Sequence, residues 1–123
     1  MGYLYSEQIK GYLKNASLVI SNRPKSQQDY YGFSTKLGEY LASATPLLLT
    51  RWGEAVNWLE DGKSAIVTEP EDTEALADAI VRVFANPNEA RQIGLTGQAV
   101  CHNCFDYRNW SKPLVDFMNQ LGK

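Results

Sequence analysis

Apolar positions along this chain come in short unbroken runs, separated by longer stretches in which they recur every three or four residues. Leu18-Val19-Ile20, Leu47-Leu48-Leu49 and Ala65-Ile66-Val67 are the runs. Each is too short for a buried helix, and each has the continuous apolar character of a strand covered on both faces. The spaced stretches read as helices. Ile9, Tyr12, Leu13 and Ala16 share one side of a first helix for which Ser6 is a candidate cap. Leu37, Leu41 and Ala44 repeat at helical spacing before Pro46, with Ser34 placed to accept a hydrogen bond from an orphan amide one turn in. The clearest helix spans residues 72–84, where Leu76, Ala79, Ile80, Val83 and Phe84 form one stripe between an Asp72-Thr73 start and an Asn86-Pro87 stop. A further helix is expected over residues 87–100. Ile93, Gly94 and Gly97 lie on its packing side, where missing side chains let a neighbour come close. Trp110, Leu114, Met118 and Leu121 make a last stripe, with Pro113 tolerable only in its first turn. Residues 54–59 suggest a short helical segment and Asp61-Gly62 a turn. The polar residues 22–31 have no period and read as a surface loop, long enough for a functional role.

Short apolar strands alternating with helices predict an α/β fold with a parallel sheet and helices on its faces. About three strands is few for a Rossmann-like sheet, so the expectation is a partial one. Length, 123 residues, fits one domain over residues 1–123. The net charge of -2 gives no overall electrostatic footprint for nucleic acid, and no apolar run reaches the length of a membrane span. Cys101 and Cys104 form a C-x-x-C around His102. A zinc site needs four ligands and no second pair exists, so two thiols near a helix end is the expectation, with no metal and no cofactor. His102 reads as a surface residue. Trp52 and Trp58 are placed either to line a ligand pocket or to pack at an edge. Arg23 and Arg51 each follow an expected strand, within reach of a phosphate or simply solvated.

Chemistry concentrates in residues 31–46, YGFSTKLGEYLASATP. A strand, a loop and a helix start can bind an anion, because first-turn amides point outward unpaired and the helix dipole adds positive potential. Gly32 lets the backbone approach a ligand, and Lys36 adds a cation. Glu39, three residues later on the same helix face, can accept hydrogen bonds from the two hydroxyls of a ribose. Spacing alone leaves a second reading open, in which Lys36 and Glu39 are an exposed ion pair and Ser34 only a cap.

The run G-F-S-T-K-L-G-E-Y-L-A-S-A-T-P-L-L-L resembles the signature of the large retaining GT-B glycosyltransferase family that builds bacterial polysaccharides. Further features follow in that family's order. Glu54 resembles its Gly-Glu after the next strand, residues 59–67 its turn and strand, residues 70–80 its Pro-to-Ile helix, and residues 91–97 and 105–121 its closing helices. The resemblance implies a GT-B C-terminal type domain. It matches Glu39 to the second Glu of the Glu-x7-Glu motif that holds the nucleotide ribose. It matches the backbone of Phe33, Ser34 and Thr35, beside Gly32, to the loop contacting the diphosphate, and Lys36 to a Lys of the same pattern.

Departures from the pattern are equally specific. Tyr31 stands where the first Glu of the motif would fall, and Ala44 replaces the expected Gly. Family residues on earlier elements, and the acceptor-binding domain, have no counterpart in this chain. The resemblance therefore implies a truncated donor-binding portion with no catalytic residue of its own. In the full enzyme it would take a UDP- or GDP-sugar and serve a saccharide acceptor, in polysaccharide or capsule synthesis. The location would be cytoplasmic, or peripheral to the inner face of the membrane. The alternative is a non-catalytic nucleotide-binding or protein-interaction module, which Tyr31 favours. An acidic cluster at strand ends, needed by a response-regulator type of domain, is missing. An unpaired edge at the first strand also predicts a homodimer.

Overall fold

In a computed structural model, which describes residues 2–31 and 36–122, three parallel strands form one sheet in the order β1-β2-β3. The strands are β1 (Val19–Ser21), β2 (Leu47–Thr50) and β3 (Ile66–Thr68). Val19 lies opposite Leu47, and Leu48 opposite Ile66. All four residues of the central strand β2 are buried, which explains its continuous apolar run. Leu47 and Leu49 enter one core with Leu37, Leu41, Leu59 and Ala65. Leu48, pointing the other way, joins Ile66, Val83, Ala90 and Ile93 in a second core. The sheet is thus sandwiched between two helical layers, the predicted α/β architecture.

The first layer contains α3 (Leu37–Ala42) and a 3-10 turn (Glu54–Asn57), against which a π-helical turn (Cys101–Phe105) packs. The second contains α4 (Thr73–Ala85) and α5 (Pro87–Val100). Asp72 caps α4 by accepting a hydrogen bond from the Ala75 amide at 2.9 Å, as its sequence position requires. Gly94 and Gly97 of α5 are buried. A Cβ added at Gly94 would meet the Ala44 carbonyl oxygen at 2.1 Å, and one at Gly97 the Ser64 carbonyl oxygen at 2.7 Å. Both glycines are therefore the contact points of α5 with the turns that lead into β2 and β3.

Several local expectations shift. In α1 (Ser6–Asn15), Tyr5 rather than Ser6 precedes the first turn, and its amide donates to Gln8 Oε1 at 2.9 Å. The polar residues 22–31 include α2 (Gln27–Tyr31), which has no apolar period to betray it. It is held instead by Ser26, whose hydroxyl donates to Asp29 Oδ2 at 2.5 Å and accepts from the Asp29 amide at 3.0 Å. Ala44, expected inside a helix, lies beyond the end of α3 with φ +59, in the left-handed region that a glycine tolerates better. Phe84 belongs to the α4 stripe by spacing yet is 63% exposed. The stripe of α6 (Arg108–Leu121) faces solvent too, with Trp110, Leu114, Met118 and Leu121 all exposed. Periodicity identified these faces but could not show what covers them.

Candidate functional site

Position and surroundings of Glu39 follow from three side-chain bonds that fix α3. Thr45, buried just after it, donates through Oγ1 to the Leu13 carbonyl of α1 at 2.5 Å. Gln98 of α5 donates through Nε2 to the Ala42 carbonyl at 2.9 Å. Cys101 donates its thiol to the Gly38 carbonyl at 3.4 Å. Leu37 and Leu41, the buried side of α3, anchor it to the sheet. Glu39 is exposed and lines a groove of about 460 Å³ between α1 and α3. Ile9 and Leu13 of α1 and Ala42 give the groove apolar walls, while Lys10, Lys14, Ser43 and Gln98 add polar groups. That mixture, and that volume, suit a small organic ligand.

Lys36 stands at the N-cap position of α3 with helical backbone angles, one residue earlier than a first-turn placement. Lys36 and Glu39 make no ion pair with each other, and neither has a side-chain hydrogen bond among the described residues. The reading of these two residues as a mutual surface ion pair is thereby set aside. Gly32, Phe33, Ser34 and Thr35, the expected diphosphate loop, lie outside the described residues, as does the capping role expected of Ser34. α3 itself is six residues long.

The other singled-out residues take structural parts. Arg23 pairs with Asp29 at 2.7 Å, and that bond, together with the Ser26 hydroxyl, holds the Asp29 carboxyl below its ordinary value, Ser26 being the larger influence. Arg51 pairs with Glu69 at 2.7 Å. Neither guanidinium stands unpaired for a phosphate. Trp52 donates its indole N–H to the Ser26 carbonyl at 2.8 Å and packs edge-on against Tyr30, with ring centres 5.3 Å apart. Trp58 contacts Phe105, with centres 5.9 Å apart. Cys101 and Cys104 are free thiols in the π-helical turn after α5. Burial, followed by the nearby Asp106 charge, pushes the Cys101 thiol up and so disfavours its reactive thiolate. Among the described residues no group of three His, Cys, Asp or Glu side chains could hold a metal ion, and no helix is long and apolar enough to cross a membrane.

The groove wall formed by α1 was missed by sequence reasoning. Its signal was present in the stripe that puts Ile9 and Leu13 on one side of the first helix; α1 has no buried residue, and this side forms the groove wall.

Comparison with known proteins bears on the family and the fold. Residues 1–86 match the family of glycosyl transferases group 1. The MMP alpha-(1->4)-mannosyltransferase of Mycolicibacterium hassiacum is 31% identical over 89 residues, covering 70% of this chain and 21% of that protein. Sucrose-phosphate synthase from Thermosynechococcus elongatus superposes with a TM-score of 0.84 at 23% identity, covering 98% of this chain and 29% of its own. The Anabaena Alr3699/HepE protein, solved in complex with UDP-glucose, superposes with a TM-score of 0.76 at 18% identity, over 88% of this chain and 29% of its own. This chain therefore spans about a fifth to a third of the length of these relatives, and the superpositions show that it shares their fold. With most of its length matched and its three-stranded α/β fold shared with glycosyltransferase structures, the chain belongs to the glycosyl transferases group 1 family.

Proposed function

We propose that this chain forms part of the donor side of a sugar-transfer site and binds the nucleoside portion of a nucleotide-sugar. The observation that carries the reading is the Glu39 carboxylate, without a partner among the described residues, on the wall of the groove between α1 and α3. The apolar walls from Ile9, Leu13 and Ala42 suit the faces of a base, and a carboxylate suits the paired hydroxyls of a ribose. Lys36, and the backbone of Gly32 to Thr35 before it, are assigned to the diphosphate, where positive potential stabilises a leaving group as charge develops. The UDP-glucose held by the Anabaena relative supports a UDP-sugar donor. In the whole protein the sugar would pass to a saccharide acceptor during polysaccharide synthesis, in the cytoplasm or at its membrane face. The chain would then be one portion of the nucleotide-binding domain.

An amide-NMR titration with UDP and then GDP tests this. Saturable shifts around Glu39, Ile9 and Leu13 are expected with one base preferred. Glu39→Ala removes charge-assisted hydrogen bonds worth about 1.5–3 kcal/mol, so affinity should fall about 10- to 150-fold. Unchanged affinity in that variant removes Glu39 from the site. Tyr31, standing where the motif carries a carboxylate, favours a second reading as a non-catalytic nucleotide-binding module. Turnover by the full-length gene product separates the two.

A further inference from the structure

A cavity of about 340 Å³ opens at the amino ends of β1 and β2, where α1, α4 and α5 converge. Open α/β sheets hold their ligands at the carboxyl end, so this cavity lies at the opposite end. It shares Lys14 with the groove at Glu39 and no other lining residue. Val83 and Ala90, both members of the second core, form an apolar floor. Phe84 lines the cavity beside them and is 63% exposed, a large ring kept out of the core that its neighbour Val83 enters.

Charge sets this cavity apart from the rest of the surface. The chain carries a net charge of -2, yet the charged residues among the described lining are Lys14 and Arg91, both cations. The described cations without an ion pair are Lys14, Lys25, Lys36 and Arg91, and half of them meet here. Glu89, close to Arg91 in sequence, is taken by Arg82 instead. The Ser17 hydroxyl, also on the lining, has no partner among the described residues. Three free donors with no acidic lining residue beside them draw an anion. A dianion neutralises both cations where a carboxylate neutralises one, and the planar Arg91 fork matches phosphate oxygens in pairs. Phe84 adds an apolar contact that only an anion bearing a carbon group can use.

The backbone beneath both cations is fixed to one turn. Thr45 Oγ1 donates to the Leu13 carbonyl, next to Lys14, at 2.5 Å. Gly94, about one turn beyond Arg91, abuts the same segment so closely that an added Cβ would meet the Ala44 carbonyl oxygen at 2.1 Å. Such pre-organisation confines the ordering cost of binding to side chains.

We propose that Lys14, Ser17, Phe84 and Arg91 form a binding site for a phosphate monoester with an apolar carbon group. The inference uses no feature of the sugar-transfer reading and stands or falls apart from it. The ester has two sources, a free small molecule or the headgroup of a lipid.

The test follows the Ser17 and Arg91 backbone amides of the 123-residue chain by NMR. Constant ionic strength and a pH of about 7.5 keep a phosphate monoester mostly dianionic. The probes are phenyl phosphate, inorganic phosphate, benzoate and benzyl alcohol, each to about 50 mM. Phenyl phosphate should move both amides saturably and bind at least about twofold more tightly than any of the other three. Arg91→Gln should weaken it about tenfold or more. Phe84→Ala should bring it down to the affinity of inorganic phosphate. Both positions are exposed, so neither variant disturbs a core. No saturable response to phenyl phosphate overturns the site. So does an affinity that Arg91→Gln leaves unchanged, or benzoate or benzyl alcohol binding as tightly as phenyl phosphate. UDP shifts at Glu39 decide the nucleoside groove and not this site. Their absence, with phenyl phosphate binding retained, refutes the groove and leaves the site standing. Phosphatidylcholine vesicles containing phosphatidic acid then identify the source. Cosedimentation of the native chain that Arg91→Gln abolishes marks the lipid headgroup. Cosedimentation that is absent, or that Arg91→Gln leaves unaffected, marks the free ester.

Discussion

Replacing Gly94 by alanine sets two effects of opposite sign against each other. Alanine is a better helix former than glycine by about 1 kcal/mol in a helix interior, and Gly94 lies well inside α5. Against that gain, the new methyl would stand 2.1 Å from the Ala44 carbonyl oxygen, 2.9 Å from its carbon and 3.1 Å from the Pro46 nitrogen. All three are backbone atoms, so no rotamer change relieves the contact. Reaching ordinary van der Waals separation needs a displacement of about 1 Å or more between α5 and the turn that leads into β2. Overpacking of this kind costs about 3 kcal/mol, leaving a net loss of about 2 kcal/mol. In a chain of this length that is a fall in Tm of about 8 °C. Urea unfolding followed by circular dichroism measures it, as a lower midpoint at unchanged slope. Gly11→Ala in α1 is the control, because a Cβ there meets nothing within 4 Å, and it should stabilise by about 0.5–1 kcal/mol. A Gly94→Ala protein as stable as the native chain would refute the argument that α5 is seated by backbone contact at this position.

Three further outcomes are expected. Ala44→Gly should stabilise the chain by about 1 kcal/mol, since φ +59 costs an alanine about that much and a glycine little; a lower urea midpoint would contradict it. The Asp106 carboxyl is held down to about 2, from an ordinary 3.8, by the side-chain hydrogen bond from Arg108 and then by its backbone amide. Its stabilising contribution is thus complete above pH about 4 and lost as pH falls toward 2. Arg108→Ala should move the carboxyl midpoint in an NMR titration back toward 3.8, and an unmoved midpoint would break the assignment. Finally, β1 pairs only with β2 among the described residues, and its Ile20 is 45% exposed. Sedimentation velocity should therefore show concentration-dependent self-association, whereas a monomer at all concentrations would refute pairing through this edge.

The parts of the fold legible in the sequence were those in which burial leaves a mark on consecutive residues. Leu47-Leu48-Leu49 feeds two cores at once, so every position is apolar and the strand announces itself. Asp72 and Asn86-Pro87 bracket α4 with chemistry that only helix ends require. By contrast, α2 is stabilised by Ser26, Asp29 and Arg23 through side-chain bonds that have no periodic signature. Glu39 was singled out within one segment, from its expected helix face and from the family resemblance. Its groove was not, because the opposite wall comes from α1, some thirty positions earlier, and sequence does not give the distance between two amphipathic surfaces.

The attachment of α6 has a thermodynamic consequence. Among the described residues, its side-chain ties to the preceding chain run from Arg108 to the Asp106 carboxylate, from Asn109 to the carbonyls of His102 and Asn103 and from Trp110 to that of Cys104, all within its first turn. No residue of α6 is buried. A single helix of 14 residues is marginal in water without a packed face. Its amides should then exchange with solvent through local opening, at a free energy far below that of the sheet, as a cooperative unit of its own. Global melting would be nearly blind to this helix. Whatever surface covers its apolar stripe must supply the free energy of ordering it, and so binds more weakly than the buried area alone would suggest.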